Sequence, residues 1–398
     1  MAQILPSIST LALVVGLSVA LAWAFRRAGF RHGGMLAGLL VGILCGPTIA
    51  GRLMPETWTT VVLGATDARI ELQAARSEFT AWRTAAASTG LEGKALAAAS
   101  IERRTTIADL ETRLAEETVA HARPWSVCLV AGATLLVLLS RIATRASSGR
   151  PGPAGLAAWA SVLPGLTTLV ALRLWGADPF SGQSLLIVAC VSCGSWSISR
   201  RSNALLRRLR AGPLAWSGNR GAILVGGGWA VAAGVVGTPA WSVAVVALVP
   251  FLLPATIRPR LRKTAARLLE SVVIPGIAAL AVLRIEAMIE TSIFLIVVLT
   301  IVAGDGRAFG WLIGLRFEGV PATGRRGGSW VVSMLASDAS STQLALASAG
   351  IALGGLGAAA GFALVASAAV VQALTPLRWW FARLDSSPTD GAEPETTD

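Results

Sequence analysis

Long apolar runs alternate along this chain with short polar breaks. The runs fall at about 7–25, 33–53, 125–143, 154–174, 184–199, 220–237, 240–257, 268–284, 288–304, 329–352 and 355–376. Most approach the roughly 20 residues that carry an α-helix across a bilayer. None shows the short two-residue alternation of an outer-membrane barrel strand. The pattern predicts an all-α polytopic membrane protein with about eleven transmembrane helices. Composition points the same way, because the 398 residues are 54% hydrophobic and only 14% charged. Soluble domains carry roughly 25% charged residues, and a large soluble core would need more charge to clothe it.

The formal net charge of +12 sharpens the picture without changing it. Basic residues cluster at Arg26 to Arg31, Arg141 to Arg150, Arg200 to Arg210, Arg258 to Lys263, Arg316 to Arg326 and Arg378 to Arg383. With about eleven spans all of these clusters fall on one side, which the positive-inside rule makes the cytoplasm. The charge therefore reads as topology rather than nucleic-acid binding. The N-terminus is expected outside and the C-terminus in the cytoplasm, in a bacterial inner membrane. The run Leu11 to Phe25 precedes its basic flank, the reverse of a signal peptide, and reads as the first span. The ending SSPTDGAEPETTD is acidic and polar, with nothing to bury, and is expected to be disordered.

Residues 59–124 break the apolar pattern. They are densely charged with nearly balanced signs, and DARIELQAARSEFTAWRTAAA is rich in helix formers. Ile70, Leu72, Phe79 and Trp82 suggest one apolar stripe, and Ile107, Leu110 and Leu114 a second at three-four spacing. STGLEGK supplies a turn between them. An extramembrane helical hairpin is predicted, lying outside the cytoplasm, either as a solvated insertion or as a docking arm for a protein partner at residues 72–121. The chain thus divides into a first transmembrane pair (1–58), the hairpin (59–124), a main bundle (125–383) and an acidic tail (384–398).

Candidate chemistry is sparse. Cys45, Cys128, Cys190 and Cys193 lie in apolar segments and read as packing residues, the CxxC at 190–193 included. His32 and His121 cannot build a metal site between them. No HExxH, Gly-x-Ser-x-Gly or phosphate loop is present, so neither an enzyme nor a cofactor is expected. Charges inside spans are costly and mark function by default. Those of interest are Asp305 and Arg307 in IVAGDGRAFGWLIG, and Asp338 in a Ser/Thr-rich patch that includes Gln343. Gly304 and Gly306 bracket Asp305 and suggest an unwound helix, as at transporter ion sites. A structural ion pair for Asp305 and Arg307, and interhelical hydrogen bonding around Asp338, are the alternatives.

The stretch FRRAGFRHGGMLAGLLVGILCGPTIAGRLMP, through Gly38, Gly42, Gly46 and Pro47, resembles the monovalent cation:proton antiporter superfamily, the sodium/hydrogen exchangers. VVLGATDARIEL is similar through Glu71 and Leu72, and LLIVACVSCGSWSISRRSNALLRRL resembles the broken helix and basic loop near that family's ion site. Arg307 falls where many members have a membrane lysine or arginine, and Gln343 at a position often acidic. The resemblance implies antiporter-like inverted repeats, a homodimer, and an ion or substrate site drawn from Asp305, Arg307, Asp338, Gln343, Ser195 and Ser197. The departure matters more. The span that should hold the ion-binding aspartates reads NRGAILVGGGWAVAAGVVG and contains no carboxylate. Proton-coupled exchange needs a titrating group that can bind cation and proton in turn. Three functions follow: a cation:proton antiporter-like protein with a relocated site, a transport-inactive scaffold or receptor subunit using the hairpin, or a carrier or channel for an anion or small solute.

Overall fold

The computed structural model describes residues 4–30, 33–88, 94–144, 259–286, 292–302, 340–352, 354 and 356–374. In chain order the helices are α1 (Ile4–Arg27), α2 (Gly34–Cys45), the short α3 (Ala50–Leu53) and α4 (Pro55–Trp58), and a π-helical turn at Thr59–Leu63. There follow α5 (Thr66–Ser88), the 51-residue α6 (Lys94–Thr144), α7 (Pro259–Leu268), a second π-helical turn (Leu269–Val273) and α8 (Ile274–Val282). Three more apolar helices are α9 (Ile293–Val302), α10 (Ser340–Ala352) and α11 (Ala358–Ala373).

The all-α class stands, but the expected eleven spans with inverted repeats do not. Among the described residues four stretches are long and apolar enough to cross a bilayer: Ile8–Arg27, Gly34–Leu53, Ser100–Leu136 and Lys263–Val282. Three coincide with expected spans, whereas Ser100–Leu136 begins inside the charged segment and overlaps the expected span at 125–143 only over 125–136. Within the runs at 288–304, 329–352 and 355–376 the described residues form the apolar helices α9, α10 and α11. The longest of these, α11, has 16 residues, about 24 Å of helix against a hydrocarbon core of roughly 30 Å. The runs at 154–174, 184–199, 220–237 and 240–257 lie outside the described residues.

Helix α8 is the centre of the described core. All nine of its residues are buried, and α1, α2, α6, α10 and α11 all pack on it. Its sequence IPGIAALAV carries small side chains, so neighbouring backbones can come close. The closest is α2, where Gly34, Gly38 and Gly42 recur every four residues and form one stripe. A methyl group on Gly42 would sit 2.8 Å from the Ala279 carbonyl oxygen, and one on Gly38 would run into the Pro275 carbonyl oxygen. The glycines that carried the family resemblance are therefore packing contacts here. The opposite face of α2 exposes Leu36, Leu40 and Leu44, and α1 and α9 expose Leu13, Leu17, Ile293, Phe294 and Val297. These outward apolar faces are what helices in lipid present.

The second π turn has a specific cause. Pro275 has no N–H, so the carbonyl of Glu270 cannot be bonded from five residues ahead. The N–H of Ile274 is committed to Leu269. Arg26 fills the gap, donating to the Glu270 carbonyl at 2.7 Å and to Ser271 Oγ at 2.6 Å. This hooks the C-terminal end of α1 to the junction of α7 and α8. Buried hydroxyls on the inner helices satisfy themselves: Thr134, Ser348 and Ser367 each donate to a carbonyl three or four residues back.

Helices α5 and α6 form the predicted antiparallel pair, with two corrections to detail. Inward positions on α5 are Ala68, Leu72, Ala75, Phe79, Trp82 and Ala86, whereas Ile70 is exposed. The three-four spacing of that seam is the one that lets helices interlock. Pairing is antiparallel, because Glu71 meets Arg113 at 2.8 Å, Arg76 meets Glu111 at 2.6 Å, and Arg103 lies 4.4 Å from the centre of the Trp82 ring. The second correction is that the hairpin does not end before the next span. Helix α6 runs unbroken through Pro124 into the apolar stretch, so arm and span are one helix.

Candidate functional site

Of the residues expected to form an ion or substrate site, Asp305, Arg307, Asp338, Ser195 and Ser197 lie outside the described residues. Gln343 is described, on α10, and only 1% of it is exposed. Its amide nitrogen donates to the Leu299 carbonyl on α9 at 3.0 Å. Its carbonyl oxygen is buried with no hydrogen-bond partner among the described residues. Such an orphan acceptor costs roughly 1–3 kcal/mol. Beside it, Ser341 contacts Ser140 of α6 at 3.1 Å. Gln372 on α11, which the sequence did not single out, accepts the backbone N–H of Met35 at 2.9 Å and so caps the first turn of α2.

A second polar cluster gathers where the arm meets the core. The first π turn ends at Gly64, whose φ of +67° and contact with the His121 ring admit no side chain. The carbonyls of Val61 and Val62, at the turn's C-terminal end, have no helical donors ahead of them. His121 on α6 reaches the Val61 oxygen at 3.3 Å, and Arg284 donates to the Val62 oxygen at 2.6 Å. The Arg284 guanidinium also lies 4.9 Å from the centre of the Trp125 ring, and Trp125 in turn donates its indole N–H to the Leu280 carbonyl at 2.8 Å. Arg284 is part-buried here. Its Nε is buried with no partner among the described residues. Thr10, Leu11 and Leu283 complete the wall of a half-open crevice at this point.

The crevice has room for about one water molecule, not for a substrate. Its chemistry is that of a clamp: one cation, one imidazole and one indole hold the π turn, α6 and α8 together. Among the described residues no group of three or more His, Cys, Asp or Glu side chains could hold a metal ion.

Arg284 escaped the sequence reading, although a lone arginine in IAALAVLRIEA is the kind of intramembrane-edge charge that signals a role. Glu286 pairs with Arg52 at 3.1 Å on the surface. No family model, curated protein or solved structure matches the chain. The chain is a largely helical protein with a few apolar helices long enough to span a membrane, and the resemblance to cation:proton antiporters rests on the sequence motifs alone.

Proposed function

We propose that this chain is an integral membrane scaffold or receptor subunit, resembling the cation:proton antiporters, that holds the α5–α6 arm rigidly outside the cytoplasm for a protein partner. The observation that carries this reading is the continuity of α6. From Lys94 to Pro124 it extends ~45 Å, and the same helix carries on through Pro124 towards the core. The Arg284 and His121 clamp ties the base of that arm to the core. A partner seated on the arm would therefore act directly on the packing of α6 against α8 and α10. The carboxylate-free span at 219–237 supports loss of exchange. The positive-inside rule puts the end bearing Arg26 and α7 in the cytoplasm and the arm on the far side.

Two measurements test it. In intact cells a membrane-impermeant thiol reagent should label Ser77→Cys on the arm and leave Arg267→Cys unlabelled until the membrane is opened. Proteoliposomes of the purified protein should show no cation-dependent proton flux with Na⁺, K⁺ or Li⁺ across a broad pH range. Labelling in the reverse pattern removes the external arm, and flux removes the scaffold.

Cation transport is the second reading, favoured by the unpartnered carbonyl oxygen of Gln343, which a bound cation or water would satisfy. Under that reading flux exists and is abolished by Asp338→Asn or Gln343→Leu.

A further inference from the structure

We propose that the exposed basic face of α7, together with Arg27, binds the phosphate headgroups of anionic lipids at the end of the molecule opposite the arm. The proposal rests on the membrane reading. Helix α7 has the sequence PRLRKTAARL, with four cations and no carboxylate. Arg260, Lys263 and Arg267 are exposed at positions three and four apart, which places them on one face, while Ala265 and Leu269 are buried on the other. Between residues 259 and 285 Glu270 is the lone acidic side chain. Among the described residues none of Arg27, Arg260, Lys263 and Arg267 forms an ion pair.

Arg26 fixes the end of α1 at the junction that follows α7, and Arg27 is its neighbour. The Arg27 guanidinium stacks 4.2 Å from the centre of the exposed Trp23 ring. Indole at that level is the side chain favoured at a membrane interface. Leu268 and Val272, next along the chain after Arg267, are also exposed. Cations therefore stand at the border of an apolar surface, with stems long enough to lie along it. That border matches a leaflet of acidic lipids, whose phosphates sit immediately above hydrocarbon. It does not match a nucleic-acid duplex, which offers no partner for Trp23, Leu268 and Val272.

The test is lipid retention, read by native mass spectrometry on protein extracted from vesicles of equal parts phosphatidylcholine and phosphatidylglycerol. Wild type is expected to retain phosphatidylglycerol preferentially. The triple variant Arg27→Gln, Lys263→Gln, Arg267→Gln is expected to lose that preference by about tenfold or more. Replacing Arg27 and Arg267 by lysine should preserve it, and Arg76→Gln on the arm should leave it unchanged. Equal retention of both lipids by wild type overturns the proposal. So does phosphatidylglycerol binding that appears only when residues 386–398 are removed, which would make the acidic tail the occupant of this face. Failure of the protein to float with vesicles at all would instead remove the membrane reading.

Discussion

At the residue scale, the described polar groups mostly repair backbone gaps left by helix geometry. Arg26 answers the carbonyl freed by Pro275, Gln372 caps α2, and Arg284 and His121 take the carbonyls at the end of the first π turn. Arg284→Ala would leave the Val62 carbonyl and the Trp125 face unpartnered. A loss of about 1–3 kcal/mol is expected, seen as a lower Tm in detergent, and Arg284→Lys should recover only part of it. Gln343 behaves differently, because half of its amide is already unsatisfied. Gln343→Leu should cost less than about 1 kcal/mol if no ligand sits on that oxygen, since the orphan acceptor disappears along with the Leu299 bond. A larger loss of Tm, dependent on Na⁺ or K⁺, would mark the oxygen as a cation ligand.

At the element scale, α2 and α8 meet backbone to backbone, and that contact sets the tolerance of the whole core. Gly38→Val should destabilise by ~1–3 kcal/mol or more, because its neighbours are the Pro275 carbonyl and the Ala278 methyl, neither of which can swing away. Leu40→Ala on the exposed face of the same helix should change Tm little. Within the arm, Arg113 bonds both Glu71 and Glu117 on the surface. Arg113→Ala should loosen α5 from α6, read as faster amide exchange over 66–88, with the difference shrinking as salt rises. Pro124 removes one bond from α6 at the boundary of arm and span. Pro124→Ala should raise helix stability there by up to ~3 kcal/mol, seen as slower exchange near residue 120.

At the scale of the whole molecule, two ends with opposite character are joined by one packed centre. Arg26, Arg27 and α7 mark one end, and the arm with its Arg284 clamp marks the other. The scaffold reading and the lipid-binding face belong to this scale, because each depends on which end faces which solution. Impermeant labelling of Ser77→Cys and Arg267→Cys is the experiment that fixes the direction for both.

Hydrophobic run length was enough to place Ile8–Arg27, Gly34–Leu53 and Lys263–Val282, since burying twenty apolar side chains in lipid depends on little besides their number, but not Ser100–Leu136, which begins inside the charged segment. In the runs at 288–304, 329–352 and 355–376 it did not foretell surroundings: α10 and α11 are largely buried among other helices whereas α9 exposes Ile293, Phe294 and Val297, and composition does not distinguish lipid from a protein interior as solvent. Charge balance and three-four spacing likewise revealed the α5–α6 pair, yet not that α6 continues past Pro124. A proline stops a helix only when no neighbour compensates for the lost bond, and neighbours are not written in local sequence. Gly38 and Gly42 were legible as part of a motif, but their role, with Gly34, as a contact surface for α8 required a partner more than two hundred residues away. Arg284 and Gln372 were missed for the same reason. A single polar side chain acquires its meaning from the particular carbonyl or N–H that tertiary structure leaves unpaired beside it.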